Sequence, residues 1–141
     1  MFIQYIRGIS QEKRLIGKRK KKISKEEVVG RIFLRKLKKI DETSDQDTTK
    51  ELFIQLNNVM RNFFSELYDI AYEFAYVELN EELVKKGIEE RLRKDIIDYT
   101  MEMEKSEYSD HVMSKQEFYY LLGKSIHIVK EVTGYKEDYA L

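Results

Sequence analysis

The side chains that could do chemistry here are two histidines, 26 carboxylates and ten tyrosines, with no cysteine and no tryptophan. Without cysteine there is no disulfide framework, no thiolate metal site and no thiol nucleophile. Two histidines are little material for a zinc centre. The glutamates raise a carboxylate metal site of the ferritin-like kind, which needs Glu-x-x-His from two helices, and neither His111 nor His127 completes that spacing. His111 stands in a polar stretch where Asp110 could orient it, and the plainer reading is a surface histidine. His127, between Ile126 and Ile128, reads as the edge of an apolar helix face rather than as a ligand. The pairs Glu81-Glu82 and Glu89-Glu90 read as solvated helix starts that complement the dipole. There is no glycine-rich phosphate loop and no His-Glu-x-x-His motif. No catalytic residue, cofactor or metal is therefore assigned.

The tyrosines have a pattern. Tyr68, Tyr72 and Tyr76 fall at steps of four, so on one helix they share a face. Tyrosine is amphipathic and common at protein interfaces, which makes these three a candidate interface. The competing reading has their rings completing a small core, and a domain of this size needs that area.

Charge is the stronger signal. The formal net charge is zero, but it is a cancellation. Residues 1–40 carry 14 basic and 3 acidic side chains, and residues 41–141 carry 12 basic and 23 acidic. The centre of the basic part is Lys18, Arg19, Lys20, Lys21 and Lys22, flanked by Arg14 and Lys25. Seven cations this close repel one another, so they suit a solvated arm or a contact with phosphates of lipid headgroups or nucleic acid. Met1 to Ile6 is mostly apolar and precedes the cations. It is too short to span a bilayer, which takes about 20 apolar residues. Its order is the reverse of a secretory signal and matches the cytoplasmic exit of a membrane span. An ordinary N-terminus is the competing reading.

Helices must position these groups. Ser24-Lys25-Glu26-Glu27, Thr48-Thr49-Lys50-Glu51 and Ser114-Lys115-Gln116-Glu117 each read as a capping box, and each precedes an apolar stripe. The first stripe is Val28, Val29, Ile32 and Phe33, which Leu37 and Ile40 could extend, with Gly30 weakening it modestly and Arg35, Lys36, Lys38 and Lys39 suiting the dipole of its last turns. Leu52, Leu56, Val59, Met60, Phe63 and Leu67 make the strongest stripe, a helix from 48 to about 68. Residues 68–76 suit either a helix or a short connector. Val77, Leu79 and Leu83 lead to a stop at Lys85-Lys86-Gly87, and another helix is expected from about Glu89 to Met103. Ser106 to Val112 reads as a loop, and Phe118 to Val129 as the last stripe, ended by Gly134. No proline and few glycines argue against a β-sandwich or barrel. The expectation is an all-α small bundle of four to five helices with a basic N-terminal arm. Its parts are an arm over 1–23, a basic amphipathic helix over 24–40, an acidic linker over 41–47, a bundle over 48–134 and a tail over 135–141. The first helix would either dock on the bundle or stand apart.

The order of elements from Thr48 to Thr133, about 85 residues, resembles a known family. It is similar to the cytoplasmic helical domain after the last membrane span of Bat-type aerotolerance proteins and transglutaminase-associated membrane proteins. Leu56 to Phe64 resembles the family's first helix, Glu78-Leu79 with Leu83 and Gly87 its short helix, and Tyr108-Ser109 with Ser114 and Glu117 the entry to its last helix. One departure is Ala75, where the family has a capping threonine. The resemblance implies a membrane-proximal interaction domain, with a MoxR-type AAA+ ATPase or a von Willebrand factor A protein as partner, and it carries over no catalytic residues.

Three functions compete on this reading. The first is a non-enzymatic protein-interaction domain, cytoplasmic and associated with a membrane, its arm on anionic lipid. The second is a nucleic-acid-binding protein that uses the same arm, with an acidic body that repels phosphate and few aromatics for base stacking. The third is an enzyme built on carboxylates, which the absence of any constellation disfavours.

Overall fold

The three capping boxes form as the sequence predicts. The computed structural model describes residues 23–135. At Ser24 the hydroxyl accepts from the Glu27 N–H at 3.1 Å, and the Glu27 carboxylate accepts from the Ser24 N–H at 3.3 Å. Thr48 with Glu51 and Ser114 with Glu117 repeat the arrangement. Each box satisfies donors that a helix start otherwise leaves free. Five helices follow: α1 Lys25–Glu42, α2 Thr49–Tyr68, α3 Tyr76–Lys85, α4 Glu90–Glu107 and α5 Lys115–Thr133. There is no strand among the described residues, and the domain is an all-α bundle.

α3 starts after Ala75 although that residue, where the resembled family has a capping threonine, offers no side-chain cap. Alanine has no side-chain acceptor, so only half of the box survives: Glu78 accepts from the Ala75 N–H at 2.7 Å. The helix before it stops at Asp69, which takes a left-handed φ of 54°. A short aspartate side chain tolerates that region better than most.

The sequence places a boundary at residues 41–47, and the structure removes it. α1 runs on to Glu42, and a turn follows in which Ser44 is buried. Ser44 Oγ lies 2.6 Å from the Tyr119 hydroxyl, and the Lys115 ammonium donates to the Ser44 carbonyl at 2.7 Å. Those bonds fasten the turn to the start of α5. α1 does not stand apart. Val29, Phe33, Leu37 and Ile40 enter the same core as Leu52, Leu56, Met60, Phe63 and Phe64 of α2 and Phe118, Leu122 and Val129 of α5. The apolar stripe of an isolated α1 would face water, and burial at roughly 25 cal/mol per Å2 drives it onto the bundle. α4 lines the far side of α5 through Ile96, Tyr99 and Met103, and it extends to Glu107, four residues past the end expected from the sequence.

α1 and α5 cross closely. A Cβ built on Gly30 would lie 2.5 Å from Thr133 Oγ1 and 2.8 Å from Tyr135 Cβ. The glycine that weakens α1 as a helix is therefore what lets α5 approach it. Thr133 is held there, donating to the Val129 carbonyl at 2.6 Å and accepting from the Tyr135 N–H at 3.2 Å. Lys25, paired with Asp69 at 2.9 Å, ties the start of α1 to the end of α2.

Candidate functional site

The candidate tyrosines do not share a face. The break at Asp69 and the connector to Ala75 interrupt the helical register on which the i, i+4 reading rests. Tyr68 and Tyr76 are buried, while Tyr72 stays exposed and donates to Glu82 at 3.0 Å. The trio is thus not one interface: two of its rings complete the core, and burial pushes both hydroxyls up to about 12. Tyr76 is the hub of a polar network. Its hydroxyl donates to Asn57 Oδ1 at 2.6 Å, and the Arg61 guanidinium lies 4.8 Å from its ring centroid. Arg61 also donates to the Phe74 carbonyl at 3.3 Å and to Glu107 at 3.1 Å. One arginine thereby links α2, the connector and the end of α4, a network of structural cross-links.

The histidines stay at the surface. His111 Nε2 lies 3.0 Å from a Glu117 oxygen, so its partner is the capping carboxylate and not Asp110. Hydrogen bonds from the Ser114 backbone and hydroxyl, with the nearby His111, hold the Glu117 carboxyl below the usual range. The ring has no hydroxyl partner among the described residues, so no activated nucleophile is assembled there. His127 is exposed, 3.5 Å from Glu131. Burial and a hydrogen bond shared with Asp95 raise the Glu131 carboxyl above its ordinary range. Among the described residues, no group of three or more His, Asp and Glu side chains is placed to hold a metal ion. A groove of about 640 Å3 lies between the first turns of α2 and residues 106–113, with Phe53, Ile54, Val112 and Met113 in its wall.

The basic residues divide. Arg14, Lys18, Arg19, Lys20, Lys21 and Lys22 lie outside the described residues, as do the apolar start and most of the tail. Lys25 is described, and its ammonium is half-buried against Asp69. Farther along α1, which the sequence marks as a basic amphipathic helix, the structure shows which cations face outward. Val29, Phe33, Leu37 and Ile40 face the core, so the helix turns Arg35, Lys36 and Lys39 outward, and all three are exposed. Arg35 and Lys39 are one turn apart, and Lys36 and Lys39 are three residues apart, so they are surface neighbours. Lys36 lies 4.9 Å above the Phe33 ring, and neither Arg35 nor Lys39 has an ion pair among the described residues. Lys38, beside them, reaches Glu42 at 4.0 Å. The i, i+4 spacing of Arg35 and Lys39 was the available signal. The helix-dipole reading of those residues left open which of them face outward.

The charges of the other flank are opposite. Residues 76–107, which span α3 and α4, carry 10 acidic and 6 basic side chains. The chain thus has a basic side on α1 and an acidic side on α3 and α4. No described helix is long and apolar enough to cross a membrane. Comparison with protein-family models, with curated proteins and with solved structures found no match.

Proposed function

We propose that the chain is a non-enzymatic helical protein-interaction domain held at the cytoplasmic face of a membrane. The observation that carries this is the separation of charge. Residues 13–39 hold 13 basic and 2 acidic side chains, while the flank made by α3 and α4 is acidic. A cationic end of this kind is drawn to the anionic lipids of a cytoplasmic leaflet, at about 1 kcal/mol for each cation near the surface. The acidic flank then faces away from the lipid, where it is open to a protein. The partner implied by the Bat-type resemblance is a MoxR-type AAA+ ATPase or a von Willebrand factor A protein.

Vesicle flotation tests the membrane part. The full chain is expected to float with phosphatidylserine-containing vesicles and to stay behind with pure phosphatidylcholine. Equal recovery from both would refute it. For the partner, co-elution of the chain with a purified MoxR-type ATPase on size exclusion is the expected result, and separate elution would count against that choice.

A further inference from the structure

We infer that the outward face of α1, carried by Arg35, Lys36 and Lys39, is itself a membrane-contacting surface that sets how the body stands on anionic lipid. The inference rests on the membrane reading above and adds a face and an orientation to it. α1 packs on α2 along one side and on α5 along the other, so only its outer strip meets solvent. The helix is 18 residues long, about 27 Å at 1.5 Å per residue. Arg35, Lys36 and Lys39 lie within one turn of each other and present their charge outward together. α1 has no exposed aromatic residue to stack on a base, which leaves its cations to act through charge. These three cations match a sheet of phosphate and carboxylate headgroups. Lying on this strip turns the α4 flank away, which keeps its carboxylates out of the negative surface potential. Glu42 closes the strip at its far end and is engaged with Lys38 there.

Three proteins decide it, each checked by circular dichroism and thermal melting for an unchanged fold. The face variant is Arg35→Gln, Lys36→Gln and Lys39→Gln. The matched control, Lys85→Gln, Lys94→Gln and Lys105→Gln, loses the same charge from exposed sites on α3 and α4. The third is the unaltered chain. Each cation at the surface multiplies partitioning about fivefold, so the face variant is expected to lose on the order of a hundredfold on phosphatidylserine vesicles, with the control near the unaltered chain. Equal binding by face and control variants, with the unaltered chain still preferring anionic vesicles, overturns this inference and leaves the membrane reading intact. No anionic preference in the unaltered chain overturns both. Tighter, face-dependent binding to a DNA or RNA duplex than to vesicles overturns lipid as the target. Because the chain has no cysteine, single labels are clean. A fluorophore at Glu42→Cys is expected to be quenched by lipid-borne quencher and one at Met101→Cys is not, and the reverse pattern refutes the orientation.

Discussion

Replacing Gly30 by alanine sets two effects of known sign against each other. In an exposed helix interior the change stabilises by about 1 kcal/mol, because alanine gives up less backbone freedom. At Gly30 the new Cβ meets Thr133 Oγ1 at 2.5 Å, Tyr135 Cβ at 2.8 Å and Thr133 Cβ at 3.0 Å. Thr133 is 6% exposed, and its hydroxyl is tied to the Val129 carbonyl, so it has nowhere to turn. α1 and α5 must part instead, and overpacking of this sort costs about 1–3 kcal/mol. Allowing for the propensity gain, the expected net effect is a loss of about 0–2 kcal/mol, up to about 8 °C in Tm at about 4 °C per kcal/mol for a domain of this size. The internal control is Gly123→Ala in α5, whose Cβ would meet nothing within 4 Å. It is expected to stabilise by about 1 kcal/mol. Urea denaturation of both variants provides the comparison. If Gly30→Ala is as stable as Gly123→Ala, the close crossing of α1 and α5 is refuted. Adding Thr133→Ala removes the nearest clashing atom, so the pair should recover part of the loss, with a coupling of about 0.5 kcal/mol or more.

Three other outcomes are expected. Phe63→Ala empties a fully buried site whose ring packs edge-on against Phe33 and Phe64, and urea titration should show a loss of about 3–5 kcal/mol. Tyr76→Phe leaves the Asn57 carbonyl unpaired in a buried site and should cost about 1–3 kcal/mol, whereas Tyr72→Phe, at a half-exposed position, should stay within about 0.5 kcal/mol of the unaltered chain. The Glu131 carboxyl is raised above 4.5, so the folded state holds its proton more tightly than the unfolded chain. That contribution is full below pH 4.5 and is lost as pH rises through the raised value, so Glu131→Gln should flatten the fall of stability with rising pH in denaturation series just above pH 4.5. The capping carboxylates Glu51 and Glu117 are lowered instead, and their contribution should vanish as pH falls below 4.5.

Much of the helical framework was legible because its determinants are local. Ser24, Thr48 and Ser114 with glutamates three residues on bond within one turn, so reading them needs no tertiary knowledge. The stripe from Leu52 to Leu67 likewise needs only a period of 3.6 residues. The tyrosine trio failed for a related reason. Its spacing presumes a continuous helix, and a single left-handed residue at Asp69 ends that helix. Residues 41–47 misled because acidic composition marks solvent exposure along most of the turn, yet buried Ser44 pins it to α5 across 75 residues of sequence.

What the sequence determined alone is the all-α class, the starts of the capped helices and the division of charge between the two parts of the chain. These follow from short-range hydrogen bonds, from periodicity and from composition. Only the tertiary structure decided that α1 belongs to the core, that Gly30 is a contact point, that Tyr68 and Tyr76 point inward, and that Arg35, Lys36 and Lys39 form the outer strip. A helix carries its polar residues on whichever side is left when the apolar side is buried, and that side depends on where α2 and α5 lie. The placement of α2 and α5 arises from packing between residues far apart in the chain, which no local pattern encodes.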